Sequence, residues 1–96
     1  MQIMYHKTDK EHLMSILKDG LLPRKPDYPH IKDHTLYPEG VYLTLKPQCP
    51  CIDSPELEID TTHLVIIEDP DTIHNSSCFY TPNKIRPERI LKILLK

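Results

Sequence analysis

The sequence predicts one small α+β domain over residues 1–96, in which a single helix near the N-terminus is followed by β-strands. Three observations carry this prediction. Residues 8–20 have the pattern of a capped amphipathic helix, and several later segments have the composition of strands. Ten prolines and only two glycines favour extended connections over a helical bundle. A chain of this length supports one modest hydrophobic core.

The helix is predicted over Asp9–Asp19. Thr8 and Glu11 have the spacing of a capping box, in which the threonine hydroxyl accepts from a first-turn amide and the glutamate reaches back to the cap amide. Gly20 supplies the left-handed residue at which helices commonly end. The apolar stripe of this helix would consist of Leu13, Ile16 and Leu17, with Met14 at its border.

Strand candidates lie on both sides of the helix. Residues 3–5 are apolar, so His6 is expected where a first strand gives way to the helix. Residues 24–40 are predicted to form a long loop, either a mobile surface loop or one that faces a substrate. Gly40–Leu45 then has strand composition, with its aliphatic residues on one face and Tyr42 on the other. A tyrosine in a strand is most often a packing residue, and the sequence around Tyr42 taken alone favours that role.

The second half of the chain predicts three more strands. Residues 46–61 are polar and broken by prolines, so they are expected to form a loop. His63–Glu68 is a continuous apolar run, typical of a strand buried on both faces, and is predicted to be the central strand. Ser77–Thr81 is a short strand candidate, and residues 90–95 favour a last strand over a helical turn.

Charge and cysteine usage narrow the class of protein. Twelve Lys and Arg against fourteen Asp and Glu give a net charge of −2, which argues against a general nucleic-acid or membrane-surface binder. The sequence has no apolar run of membrane-spanning length and no signal-peptide pattern, so we expect a cytoplasmic protein that does not bind membranes. Cys49, Cys51 and Cys78 are too few for a disulfide scaffold and are expected to be free thiols.

The sequence gives little support for the common metal-binding, catalytic and phosphate-binding motifs. Cys49 and Cys51 with His63, His74 or Cys78 offer zinc ligands, but one tight pair without a second pair argues against a metal site. Cys78 and His74 lie far apart on an extended segment, which gives only a weak signal for a cysteine nucleophile. Glycine-rich phosphate loops and the HExxH zinc motif are absent from the sequence.

Four segments in order resemble the ADP-ribosyltransferase superfamily. They are Tyr5-His6-Lys7-Thr8, the helix that ends in Asp-Gly-Leu-Leu-Pro, the segment Gly40-Val-Tyr-Leu-Thr44, and the stretch Ile85–Ile90. The nearest members are RNA 2′-phosphotransferases and small bacterial ADP-ribosyltransferases. The resemblance implies a split, bent β-sheet whose cleft binds NAD without a Rossmann fold. It also implies transfer of ADP-ribose from NAD to an acceptor, protein or nucleic acid, or hydrolysis of NAD.

The resemblance also assigns residues. In that superfamily the first-strand histidine bonds a ribose hydroxyl and the second-strand tyrosine stacks on nicotinamide, which implies catalytic roles for His6 and Tyr42. We expect these two side chains to face one cleft. The full set implied to bind NAD is His6, Lys7, Thr8, Tyr42, Ser77 and Arg86.

One position departs from the superfamily pattern. Counting back from Ile90, Ser77 or Cys78 stands where many transferases carry a catalytic glutamate. The possible substitutes are Glu39, Glu68 and Glu88. The 2′-phosphotransferases use phosphate-binding arginines instead, for which the chain offers Arg24, Arg86 and Arg89. Three alternatives therefore stay open: a slow NAD-consuming enzyme, an inactive nucleotide-binding or interaction module of the same fold, and a small structural domain.

Overall fold

A computed structural model describes residues 1–24, 39–68 and 78–95 of the chain. Its elements in chain order are β1 (Ile3–Lys7), a first 3-10 turn (Lys10–His12), α1 (Leu13–Asp19), β2 (Val41–Thr44), β3 (Glu56–Asp60), β4 (Ile67–Glu68), β5 (Cys78–Thr81), a second 3-10 turn (Pro87–Arg89) and β6 (Ile90–Leu94). The six strands form one antiparallel sheet in the order β4-β5-β2-β1-β3-β6. The predicted α+β class with one N-terminal helix is confirmed.

The start of the helix differs from the prediction. Within the described residues, neither Asp9 before the 3-10 turn nor His12 before α1 makes a side-chain cap bond, so the capping box is wrong. The physical reason is a contact from outside the helix. The main-chain amide of Thr8 donates to the Pro55 carbonyl at 2.9 Å, which holds this residue as a continuation of β1.

The end of the helix agrees with the prediction. Gly20 follows Asp19 with φ 84°, and its amide donates to the Ile16 carbonyl at 2.7 Å. A side chain at this position would overlap the carbonyl oxygen of Ile85. Leu21 and Ile85 then exchange two main-chain hydrogen bonds of 2.8 and 2.9 Å, which fasten the helix end to the segment before β6.

The hydrophobic core lies between α1 and one face of the sheet. Of the predicted stripe, Ile16 is buried and Leu13 is half-buried, while Leu17 and Met14 are 38% and 77% exposed. Burying one such side chain contributes about 1.5–3 kcal/mol. The buried core residues are Met4, Ile16, Leu21, Val41, Leu43, Leu57, Ile59 and Ile85.

The central strand is not the one predicted. His63–Glu68 contributes only the two-residue β4 at one edge of the sheet, where both residues are exposed. The interior strand is β3, which lies in the predicted loop and pairs with β1 and β6. Its acidic residues alternate with Leu57 and Ile59, which are fully buried, so it has the period of a strand with one apolar face.

The structure has strands at three other predicted places. Val41 and Leu43 are buried while Tyr42 is half-buried, as the alternation requires, although Leu45 lies beyond β2. The strands at Cys78–Thr81 and Ile90–Leu94 are also confirmed. Most of the predicted 24–40 loop falls outside the described residues, as does Ser77. In the part of the chain that is described, no helix is long and apolar enough to span a membrane.

Candidate functional site

The two strands at the centre of the sheet are joined more weakly than their neighbours. Among the described residues β1 and β2 share one register pair, Tyr5 with Thr44, whereas β1 and β3 share five pairs. The ladder therefore stops before the last residues of β1 and the first residues of β2. We call this place the β1–β2 junction and define it by His6, Lys7, Val41 and Tyr42.

A side chain of β1 bonds the main chain of β2 at the junction. The Nδ1 atom of His6 lies 2.7 Å from the carbonyl oxygen of Tyr42. A carbonyl oxygen only accepts, so Nδ1 must carry the hydrogen and donate it. Burial lowers the pKa of His6 below its ordinary 6.5, and the bond to Tyr42 offsets this only in part. The ring is therefore neutral at pH 7, and its Nε2 atom is a hydrogen-bond acceptor.

His6 and Tyr42 project from opposite faces of the sheet, so the prediction that both face one cleft is wrong. Tyr5 is the partner of Thr44 across the ladder and shares its face. Tyr42 shares that face because it lies two residues from Thr44, whereas His6 is next to Tyr5 and points the other way. Alternation within each strand is visible in the sequence, but the register between the strands is not.

Tyr42 belongs to an aromatic pair on the more polar face. Its ring stacks on that of Tyr80 in β5, with centroids 5.4 Å apart and planes inclined by 27°. Gly40 makes room for this pair. A Cβ atom at residue 40 would lie 2.7 Å from Cδ2 of Tyr80 and 2.9 Å from the Thr81 carbonyl oxygen.

The next two predicted NAD-binding residues, Lys7 in the junction and Thr8 directly after it, are engaged with the segment before β3. The Nζ atom of Lys7 donates to the Gln48 carbonyl at 2.7 Å, and the Thr8 amide donates to Pro55. NAD binding by the side chains of Lys7 and Thr8 stays a prediction. Ser77, another predicted site residue, lies outside the described residues.

Arg86 lies away from the junction. It lines a groove of about 550 Å³ together with Met1, Asp60 and Arg89. Asp60 is the register partner of Ile3, so this groove lies at the start of β1 and the junction lies at its end. The structure therefore does not bring Arg86 together with His6 and Tyr42.

Among the described residues, Arg24, Arg86 and Arg89 do not come together in one phosphate-binding site. Arg89 is used by the fold, because its Nη1 atom donates to the carbonyls of Asp60 at 3.1 Å and Thr62 at 2.9 Å. Arg24 pairs through its main chain with Gly40, next to β2, and does not line the Arg86 groove.

None of the three glutamates suggested as substitutes shares the face of Tyr42 at the junction. Glu88 lines the groove of Arg86. Glu68 pairs in register with Phe79, whose partner Leu43 lies on the core face. Glu39 is exposed just before Gly40.

Sequence reasoning missed two carboxylates of β3 on the polar face. Glu58 accepts a hydrogen bond of 3.3 Å from the Tyr5 hydroxyl, and burial and this carboxylate raise the pKa of Tyr5. Glu56 is fully buried opposite Lys7, and its Oε1 accepts from the Gln48 amide at 2.5 Å. Its Oε2 has no partner among the described residues. The alternation of residues 56–60 was the signal that could have found both.

The cysteines give no further site. Cys49 and Cys51 are free thiols at the surface, and the side chain of Cys78 lies outside the described part. Within the described residues, no three His, Cys, Asp or Glu side chains are grouped so as to hold a metal ion.

Comparison of the chain with protein-family models, with curated proteins and with solved structures finds no match.

Proposed function

We propose that this domain binds NAD in the β1–β2 junction and is a slow ADP-ribosyltransferase-like enzyme, which moves ADP-ribose to an acceptor or to water. The observation that carries the proposal is the bond from His6 Nδ1 to the Tyr42 carbonyl. It fixes the imidazole at the point where the central ladder stops, and it leaves Nε2 as an acceptor for a ribose hydroxyl.

The register between β1 and β2 determines how NAD would bind. Because His6 and Tyr42 leave opposite faces, a ligand that lies flat on either face meets only one of them. A ligand that lies across the β1–β2 junction would meet both. NAD suits this position because its ribose hydroxyls match the imidazole acceptor and its flat, cationic nicotinamide matches an aromatic ring. The stack on Tyr80 holds the Tyr42 ring in place.

The proposed reaction breaks the bond between the nicotinamide nitrogen and the ribose C1′ atom. Nicotinamide leaves with the bonding electron pair, and the acceptor or water forms a new bond to C1′ and loses a proton. The positive charge that develops on the ribose calls for a carboxylate. Losing such a preorganised group typically costs ~100–1000-fold in rate, which is why turnover is expected to be slow.

One observation favours the second candidate, a nucleotide-binding module without turnover. Glu56 and Glu58 lie on the face of Tyr42 but belong to β3, and β1 separates β3 from β2. Glu58 is engaged by Tyr5 and Glu56 by Gln48. Neither is free to approach a ribose that lies beside Tyr42.

Nicotinamide release from NAD separates these two candidates. We expect slow release by the unmodified chain and faster release by Cys78→Glu, since position 78 pairs with Thr44, two residues from Tyr42. Cys49→Glu is the matched control, because Cys49 lies in an exposed loop. NAD binding without release in either chain would favour the inactive module, and no binding at all would overturn both candidates.

A further inference from the structure

In the part of the chain that the structure describes, no strand pairs with the outer edge of β6. In the order of the described strands, β6 ends the sheet with a five-residue strand of which only Lys92 is charged. Leu91 within the strand and Leu95 just after it are 44% and 47% exposed. Soluble proteins usually shorten, charge or cover such an edge, because its main-chain groups pair readily with another strand. The other edge follows that rule, since β4 has two residues.

We propose that β6 pairs antiparallel with β6 of a second copy of this chain, forming a twofold dimer with a continuous twelve-stranded sheet. The pairing is centred on Ile93. A second copy is favoured because the strand is complementary to itself in this register. Leu91 then lies opposite the partner copy's leucine at position 95, and Lys92 lies opposite a leucine at position 94. Each pair is formed twice, as a twofold axis requires.

Charge excludes the neighbouring register. If the pairing were centred on Lys92, two ammonium groups would lie directly opposite each other, which is destabilising. In the register centred on Ile93 they lie apart, and each Lys92 keeps Glu58 of its own chain as its ladder partner. The ladder with β3 skips Leu91, which bulges between Ile90 and Lys92, so the regular part of the strand has Ile93 at its centre.

The assembly ends at the dimer. Once β6 is paired, the remaining edge of the described sheet is β4, which is too short to add a further copy. The β1–β2 junction lies away from the proposed interface, because β3 separates β1 from β6. Dimerisation is therefore independent of the proposed NAD site.

Sedimentation equilibrium of the full chain tests this proposal. We expect a monomer–dimer equilibrium with a Kd below about 1 mM. Leu91→Lys should weaken the dimer by about tenfold, because the new ammonium faces a leucine across the twofold axis. Met14→Lys is the matched control, since Met14 is 77% exposed on α1, and it should leave the Kd unchanged.

A second substitution tests the register itself. In Leu91→Lys with Leu95→Glu, each lysine faces a glutamate of the other copy, and the Kd should return to within about threefold of the unmodified value. A register centred on Lys92 predicts no rescue. If Leu91→Lys lost its fold by circular dichroism, Leu95→Lys beyond the strand end would replace it. A chain that stays monomeric up to about 1 mM, or a dimer that Leu91→Lys and Leu95→Lys both leave intact, would overturn the proposal. So would a chain that is monomeric alone and pairs only with a different protein.

Discussion

His6 and Tyr42 are joined across the centre of the sheet by a 2.7 Å hydrogen bond from the imidazole Nδ1 to the main-chain carbonyl. The bond links a side chain of β1 to the backbone of β2 just where their ladder stops. It fixes both the tautomer and the orientation of the ring, because the carbonyl can only accept. The stability of the domain and the proposed NAD contact therefore involve the same imidazole.

The first prediction concerns pH. The folded protein holds His6 neutral because burial lowers its pKa, whereas the unfolded chain protonates it near 6.5. Below that pH the unfolded state binds more protons, so the free energy of unfolding should fall as the pH drops from 6.5 towards the folded-state pKa. Above pH 6.5 this contribution is complete and constant.

Denaturant melts of His6→Asn measure this contribution, because the asparagine amide keeps a donor for the Tyr42 carbonyl and does not titrate. The variant should show a shallower loss of stability below pH 6.5 than the unmodified chain. His63→Asn is the control, since His63 is exposed and has a left-handed backbone that asparagine tolerates. Equal slopes for the unmodified chain and His6→Asn would show that His6 is not held neutral.

The second prediction concerns Gly40. In Gly40→Ala the new methyl group would lie 2.7 Å from the Tyr80 ring, so the aromatic pair has to shift. We expect a loss of about 1–3 kcal/mol in stability, typical of overpacking, with a changed near-ultraviolet tyrosine signal. Leu45→Ala is the comparison, since Leu45 is 46% exposed just beyond β2. An unchanged tyrosine signal in Gly40→Ala would contradict the observed packing.

The third prediction concerns Thr8. Its main-chain amide, and not its hydroxyl, makes the important contact, so Thr8→Ala should change stability by less than about 0.5 kcal/mol. A true helix cap would cost about 1 kcal/mol, and urea melts distinguish the two values. A loss of that size would restore the capping role that the sequence suggested.

The fourth prediction concerns Glu56. Glu56→Ala leaves the Gln48 amide without its buried acceptor, which should cost about 1–3 kcal/mol in urea melts. Glu56→Gln keeps a carbonyl acceptor at that place and should cost less. Glu58→Ala is the comparison, because Glu58 is only half-buried. If Glu56→Ala were as stable as the unmodified chain, the hydrogen bond between Gln48 and Glu56 would contribute nothing to the free energy of unfolding.

Local patterns were readable from the sequence, and contacts between distant segments were not. The β2 alternation and the Gly20 helix stop were predicted correctly, since each depends on a few adjacent residues. The cap at Thr8 failed because its amide bonds to Pro55, 47 positions later in the printed sequence. β3 was not predicted because acidic residues beside prolines are typical of loops, although Glu56 is buried and bonds to Gln48.

Two residues of the candidate site were named from the sequence, but the geometry that joins them was not predicted. His6 and Tyr42 were both named from the sequence, and they do meet at the junction. Their relation across the sheet depends on the pairing of Tyr5 with Thr44, which no local pattern specifies. Shifting that register by one residue would have placed both side chains on one face.

Calorimetric titration of NAD tests the proposed site most directly. The unmodified chain should bind NAD, and His6→Ala and Tyr42→Ala should each weaken binding by about tenfold, the size of one lost hydrogen bond or ring contact. His63→Ala should bind as the unmodified chain does, because His63 lines the distant groove of Arg86. No binding by the unmodified chain, or equal affinity in all four proteins, would contradict a NAD site at the β1–β2 junction.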